Sequence, residues 1–345
     1  MREPEVLWSA VDAHVDRARS PADLRAHGLQ LLAAARLRTL GRPVPEVLIV
    51  EERRAAIGTL AVPALLRRAR AAYDGQLMVM KGAEVALRYP DPTLRPFWDV
   101  DLLAEDAAAA QRALIAAGFQ PLGPPEDDEL GHDLRPLAWP GLPIVIDMHR
   151  EPHWVEGLRP PPRRELFEAA EPSGLGVPGI LAPAPYHHAL LLAAHGWAHE
   201  PLRRLVELVD VATVIHGTDL GAVRTLARQW RCERVWHHTE LAVDALLYGA
   251  PQPLALRTWA RHLHDARERT MLESRLQRLA GPAWGLPVRS VPRAVFRAGA
   301  AHVHRHGGEP WRTKVVRTGR IVGNVSLSVS EHDRRLGRTS IEGNG

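Results

Sequence analysis

The sequence predicts an α+β protein in which a small mixed-sheet core is flanked by an N-terminal helical segment and a C-terminal, mainly helical domain. Three observations predict it. Residues 1–74 repeat apolar side chains at helical spacing, residues 75–157 alternate short apolar runs with helical patterns, and helical periodicity returns after Pro185. We place the boundaries of the helical domain at 158–310 and expect a loosely ordered tail at 311–345.

Composition limits the class of protein. A length of 345 residues, with 46% hydrophobic and 24% charged residues, is typical of a globular protein with two or three compact units. The one cysteine, Cys232, cannot form an internal disulfide, and no leader pattern or apolar run of about 20 residues is present. We therefore expect a cytoplasmic protein with no membrane partner. The net charge of +4 is too small to favour nucleic-acid binding by itself.

The N-terminal segment and the start of the core have clear local signals. LRAHGLQLLAAARLRTLG and IGTLAVPALLRRARAAYDG both read as helices. QLMVMKG then reads as a short strand, KGAEVALRY as a helix that Gly82 opens, and PDPTLRP as a loop because of its three prolines.

The rest of the core continues the alternation. FWDVDLLA reads as a strand, AEDAAAAQRALIAAG as a helix ending at Gly118, and HDLRPLAWPGLPIVIDMHR as one or two strands around a Pro-Gly turn. From residue 158 to Pro185 the chain is rich in proline, which suggests a long connection before the C-terminal helices.

Two aspartates lie within the apolar run FWDVDLLA. Side chains of a strand alternate between faces, so Asp99 and Asp101 share one face, about 6 to 7 Å apart along it. A carboxylate in a buried strand must protonate, pair or bind a cation. Asp147 and His149 share one face of the later strand, so a third carboxylate can join the first two if the strands are neighbours. Carboxylates so arranged suit Mg²⁺ or Mn²⁺.

Lys81 and Gly82 lie where the preceding strand meets its helix. Free N–H groups at a helix start attract phosphate, glycine lets it approach closely, and lysine adds a positive charge. A phosphate site beside metal-binding carboxylates suits attack by a hydroxyl on the α-phosphate of an NTP. We therefore expect an NTP donor and a divalent cation.

These residues also carry a family resemblance. The glycine-opened helix, the Asp-x-Asp strand and the later acid resemble the DNA polymerase beta-like nucleotidyltransferase superfamily. More narrowly, LMVMKGAEVALRYPDPTLRPFWDVDLL, IVIDMHREPHW and HGWAHEPLRRLVELVDVA resemble the bacterial family of uncharacterised nucleotidyltransferases, over roughly residues 25–245. The resemblance implies that residues 75–157 are the catalytic core, with Gly82 as the phosphate-binding glycine, Asp99 and Asp101 as metal ligands and Asp147 as the third carboxylate.

The chain departs from the superfamily pattern at Ala83. Glycine or serine usually follows the signature glycine, and a methyl group removes one possible contact to phosphate. Ala83 therefore leaves open a catalytically inactive relative that binds nucleotide or substrate.

Four further residues are candidates near the site. Arg88 and Arg95 flank the loop before the aspartates, where each either meets phosphate or is solvated. His149 either bonds an aspartate or lies in a substrate cleft, and Asp210, within an apolar helix, is expected to contact the central unit near its cleft. His195 and His199 are four residues apart, but without a third ligand we expect the polar side of a packed helix and not a zinc site.

The leading hypothesis is a metal-dependent nucleotidyltransferase that moves an NMP group to an acceptor hydroxyl on a small molecule, peptide or other substrate. The alternatives are the inactive relative and, ranked lower, a toxin-type RNA or protein nucleotidyltransferase. A glycosyltransferase that uses Asp-x-Asp is disfavoured because residues 1–70 are helical. The acceptor, the NTP and the oligomeric state stay open, and a nucleic-acid acceptor is disfavoured by charge without being excluded.

Overall fold

A seven-stranded mixed sheet lies at the centre of the fold. The computed structural model describes residues 3–123, 134–287 and 290–292, and the predicted tail at 311–345 lies outside them. Helices surround the sheet throughout this described part, so the predicted α+β class is confirmed. None of the described helices is long and apolar enough to cross a bilayer.

The N-terminal segment is helical. Its helices are α1 (Pro4–Arg17), α2 (Pro21–His27), α3 (Gln30–Thr39) and α4 (Glu46–Ala72). Ser20 caps α2 by accepting a hydrogen bond from the backbone N–H of Asp23, and Gly28 ends that helix with a φ of 71°. The second half of α4 packs against the sheet through Val62, Leu65 and Leu66.

The sheet is built from short strands. They are β1 (Leu77–Val79), β2 (Asp99–Ala104), β3 (Gln120–Pro121), β4 (Leu137–Ala138), β5 (Val145–His149), β6 (Glu171–Pro172) and β7 (Ile180–Ala182). Their order in the sheet is β3-β4-β5-β2-β1-β7-β6. β2 is antiparallel to β1 and parallel to β5, so β2 lies in the interior of the sheet.

The two faces of the sheet are buried by different helices. Val100 and Leu102 of β2 join the core cluster that contains α4 and α6 (Ala107–Ala116). Leu103 points the other way, into the cluster formed with the C-terminal helices. Asp101 shares the face of Leu103, because residues two apart on a strand point the same way. The aspartate therefore faces the C-terminal helices.

The proline-rich stretch after residue 158 contributes to the sheet. We read it as a long connection, but it contains α7 (Arg163–Glu168), β6 and β7, and β7 pairs in parallel with β1. A three-residue strand has no detectable local periodicity, so its pairing is decided by the free edge of β1. Glu84, in the one-turn helix α5 (Ala83–Ala86), accepts hydrogen bonds from the Ser173 hydroxyl and the Gly174 N–H and ties this stretch down.

The C-terminal helices pack around α8 (Pro185–His199) and α9 (Leu205–Ile215). The others are α10 (Leu220–Gln229), α11 (Glu233–Leu247), α12 (Leu254–Arg257), α13 (Arg261–Asp265) and α14 (Met271–Gly285). Long apolar stripes at 3.6-residue spacing explain why these helices were predictable.

Buried histidines connect separate elements. The Nε2 atom of His188 in α8 lies 2.8 Å from the carbonyl oxygen of Met80, and those of His14 and His262 lie 3.0 and 3.1 Å from the carbonyl oxygens of Leu246 and Arg203. Burial lowers the pKa of His188 and of His262 to about 3 and that of His14 to about 4. These imidazoles are therefore neutral in the folded protein at neutral pH.

We expect stability to fall as pH drops from about 6.5 toward 4. Each depressed histidine takes up a proton on unfolding in that range, at up to about 1.4 kcal/mol per pH unit. Urea unfolding at pH 7, 6 and 5 should therefore show a shallower decline for His188→Gln, which keeps an N–H donor and cannot be protonated. His216→Gln, at an exposed position, serves as the control. Identical slopes for wild type and His188→Gln would show that His188 is not held neutral.

Candidate active site

Two aspartates face one another across the parallel pair of strands β2 and β5. Asp101 is aligned with Asp147 in the strand register, and Asp99 with Val145. Parallel neighbours in register bring side chains of equal height to the same face of the sheet. The pairing of β2 with β5 therefore places the predicted third carboxylate beside the Asp-x-Asp strand.

Asp101 is the most enclosed of these groups, with 2% of its surface exposed. Its Oδ1 atom lies 2.9 Å from His149 Nε2 and 3.1 Å from the Lys81 ammonium. Burial alone would raise the pKa of Asp101, but the His149 hydrogen bond and the Lys81 charge hold that pKa well below its usual range. Asp101 is therefore ionised at neutral pH.

The second oxygen of Asp101 has different surroundings. Oδ2 is buried and has no hydrogen-bond partner in the part of the chain that the structure describes. A buried anionic oxygen without a partner costs free energy that a bound cation would recover.

Asp99 lies at the first residue of β2 and is half-buried. Burial, together with the neighbouring charge of Asp101, raises the pKa of Asp99. Lys81 and His149 both contact Asp101, so they neutralise its charge more than that of Asp99. The remaining negative charge favours a cation at this end of β2.

Lys81 follows β1 and reaches across to the aspartates. Its Nζ atom also lies 3.0 Å from His195 Nε2 in α8. Gly82 has a φ of 64° and a ψ of −112°, a backbone conformation that residues other than glycine rarely adopt. A Cβ atom at this position would lie 3.3 Å from the Asp99 carbonyl oxygen. Glycine thus allows the chain to pass close to β2 directly after Lys81. Ala83, only 3% exposed, then begins the single turn of α5.

Histidines cover the side of the site that faces α8. The ring of His153 lies with its centroid 5.1 Å from that of His149, 5.4 Å from that of His195 and 4.8 Å from that of His199. Burial, followed by the charge of Lys81, holds the pKa of His195 well below its usual range. The sequence singled out His195 and His199 but not His153, because nothing local indicates that the loop after β5 meets α8.

Arg95 and Asp210 pair with one another. The Arg95 guanidinium donates to both oxygens of Asp210, with Nη2 to Oδ2 at 2.7 Å and Nε to Oδ1 at 3.0 Å, and the Tyr89 hydroxyl donates to Oδ1 at 2.8 Å. All three side chains are buried. Asp210 of α9 thus contacts the central unit, and Arg95 is engaged by that carboxylate, whereas Arg88 is exposed.

One group of three residues in the described ranges is arranged for metal binding. Ligand atoms of Asp101, Asp147 and His149 all lie within 4.8 Å of one another. Two carboxylates and an imidazole fit a divalent ion. The partnerless Oδ2 atom of Asp101 supports this fit, since it offers a lone pair that the protein does not use.

Comparison with known protein families assigns the chain to one of them. A family model described as uncharacterised nucleotidyltransferase matches residues 22–247, which is more than half of the chain. The chain belongs to the uncharacterised nucleotidyltransferase family. The match spans the whole sheet, α8 and the carboxylates of the candidate site, and the predicted family is confirmed. A comparison with curated proteins found no match.

We expect that removing either Arg95 or Asp210 alone destabilises the fold strongly. Asp210→Leu or Arg95→Met alone should cost about 3 to 5 kcal/mol of unfolding free energy, because each leaves a buried charge uncompensated. The double variant should cost clearly less than the sum, which a double-mutant cycle in urea would measure. Arg88→Met, at an exposed position, should change stability by no more than about 0.5 kcal/mol. Additive losses in the cycle would contradict this pairing.

Proposed function

We propose that the protein is a metal-dependent nucleotidyltransferase that moves an NMP group from an NTP to an acceptor hydroxyl. The observation that carries the proposal is the alignment of Asp101 with Asp147 on neighbouring parallel strands, with one oxygen of Asp101 buried and partnerless. Family membership supports the general class of transferase.

The site residues would have separate roles in the reaction. Asp99, Asp101 and Asp147 would hold Mg²⁺ or Mn²⁺. When bound, such an ion lowers the pKa of an attacking hydroxyl and offsets charge on the pyrophosphate leaving group. His149 orients Asp101 through its hydrogen bond. Lys81 and Gly82 would meet the triphosphate, with the backbone at Ala83 beside them. Arg88, which is exposed, would add charge for the phosphates.

The acceptor side of the site is assigned to α8. A small cleft at Lys81 is lined by both apolar and nitrogen-bearing side chains. The residues are Met80, Lys81, Pro152, His153, Leu191, Leu192 and His195. Such a cleft suits an uncharged or anionic group with an apolar portion. We favour a hydroxyl of a small molecule or peptide, in a cytoplasmic setting. The assignment of His149 to the substrate cleft is part of this proposal, whereas buried Asp210 would act through Arg95.

The domain division is proposed with one addition. We keep the N-terminal segment at 1–74, the catalytic core at 75–157 and the helical domain at 158–310. The strands β6 and β7 belong to the sheet of the core, although they follow its proposed boundary.

A second candidate is a relative that binds nucleotide without transferring it. It is favoured by the buried methyl group of Ala83 at the start of α5, where a serine hydroxyl would add a phosphate contact. Nucleotide binding without pyrophosphate release across many acceptors would support it.

We expect α-³²P label to pass from one of the four NTPs to an acceptor in a metabolite and peptide extract, with pyrophosphate release. Asp101→Asn and Asp147→Asn should lower this rate at least about 100-fold, because each removes a charged metal ligand and keeps the side-chain shape. Asp16→Asn, at an exposed position on α1, is the matched control and should react as wild type does. Equal rates in all four proteins would show that Asp101 and Asp147 are not the metal ligands of the reaction.

A further inference from the structure

Lys81 occupies a position next to Asp101 that a cation would take. Its Nζ atom lies 3.1 Å from Asp101 Oδ1 and 3.0 Å from His195 Nε2, so an anionic oxygen and an imidazole nitrogen both contact it. The side chain is 21% exposed, so the ammonium lies in the wall of the site. Lys81 is one of only two lysines in a chain that otherwise uses arginine for positive charge. A compact ammonium can occupy the space of a metal ion.

The two oxygens of Asp101 are in different states. Oδ1 contacts the ammonium and His149, while Oδ2 is buried with no hydrogen-bond partner in the described part of the chain. In two-metal sites the ions lie about 3.5 to 4 Å apart, close enough for one carboxylate to bridge them through its two oxygens. Asp101 is arranged in this way. Lys81 contacts Oδ1, and Oδ2 has no hydrogen-bond partner among the described residues.

The charge of Lys81 also favours a single divalent ion beside Asp101. Lys81 places a positive charge on the Oδ1 side of Asp101, at a distance of 3.1 Å. A second divalent ion beside Asp101 would have to share that side with the ammonium. Like charges at contact distance repel strongly in a partly buried site, so the ammonium disfavours that second ion.

We propose that the Lys81 ammonium permanently fills one of the two cation positions around Asp101, so that the site takes one divalent ion. This inference rests on the proposed function only for the role of the ion in NMP transfer, and the number of bound ions does not depend on it. The remaining position is the one that Oδ2 of Asp101 faces. An ammonium has three N–H donors, and two are directed at Asp101 and His195, so the third can meet a phosphate oxygen as a metal ion there would.

Mn²⁺ binding measures the number of cation positions beside Asp101 directly. The full-length protein is titrated with Mn²⁺ alone, and free Mn²⁺ is followed by electron paramagnetic resonance. Crystals soaked in Mn²⁺ then locate the ions by anomalous scattering. We expect one ion beside Asp101 in the wild type and two in Lys81→Met, which keeps the length of the side chain and removes its charge. In Lys81→Met the two ions should also show spin coupling.

Two further variants separate charge from folding. Lys81→Arg keeps a positive charge and should bind one ion, and Arg112→Met removes a charge from an exposed position on α6 and should also bind one. Circular dichroism checks that each variant is folded. If Lys81→Met does not fold, the wild-type count decides alone.

Two ions or none beside Asp101 in the wild type would overturn the proposal, as would a single ion in folded Lys81→Met. Failure of the proposed function is recognised separately. If the ion count changes from one to two as expected but no NTP reacts, the inference stands and the transferase assignment falls. If NMP transfer depends on the aspartates and the wild type binds two ions, the reverse holds.

Discussion

The buried carboxylate of Asp101 is the constraint on which the site depends. An ionised carboxylate inside a sheet costs several kcal/mol unless charged or polar groups surround it. Here the partners come from three directions: His149 from the neighbouring strand, Lys81 from the end of β1, and His195 from α8 through Lys81. The groups that neutralise this one charge thus connect the strands of the sheet with helix α8.

Two other buried contacts keep α8 and α9 against the sheet. His188 of α8 bonds the carbonyl of Met80, the residue directly before Lys81. Arg95 and Tyr89 bond Asp210 of α9. These contacts hold the C-terminal helices where the histidines of α8 face the carboxylates. The geometry of the site is therefore a property of both parts of the chain, and loss of a remote ion pair would disturb it.

Much of the central unit was predictable because its signals are local. The alternation of FWDVDLLA placed Asp99 and Asp101 on one face, and IVIDMH did the same for Asp147 and His149. The sequence could state only that these faces converge if the strands are neighbours. The parallel pairing of β2 with β5 supplies that condition, through backbone hydrogen bonds that no single stretch encodes.

The roles of single side chains were harder to predict than their positions. Arg95 was a candidate for phosphate binding, and the structure engages it with Asp210. Lys81 was expected at the triphosphate, and the structure places its ammonium on Asp101. In both cases the partner lies more than a dozen residues away, so the choice between solvent, phosphate and a buried acid depends on packing.

By itself, the sequence determined the order of the main helices and strands in the core apart from the two-residue β3, the family, and the carboxylates that a cation would need. Periodicity and turn residues carry that information locally. Only the tertiary structure decided that β7 joins the sheet, that His153 meets the α8 histidines, and that Lys81 neutralises one oxygen of Asp101 and leaves the other open. The physical reason is that burial, pairing and charge balance arise between residues distant in the chain, and they take definite values only once the chain is packed.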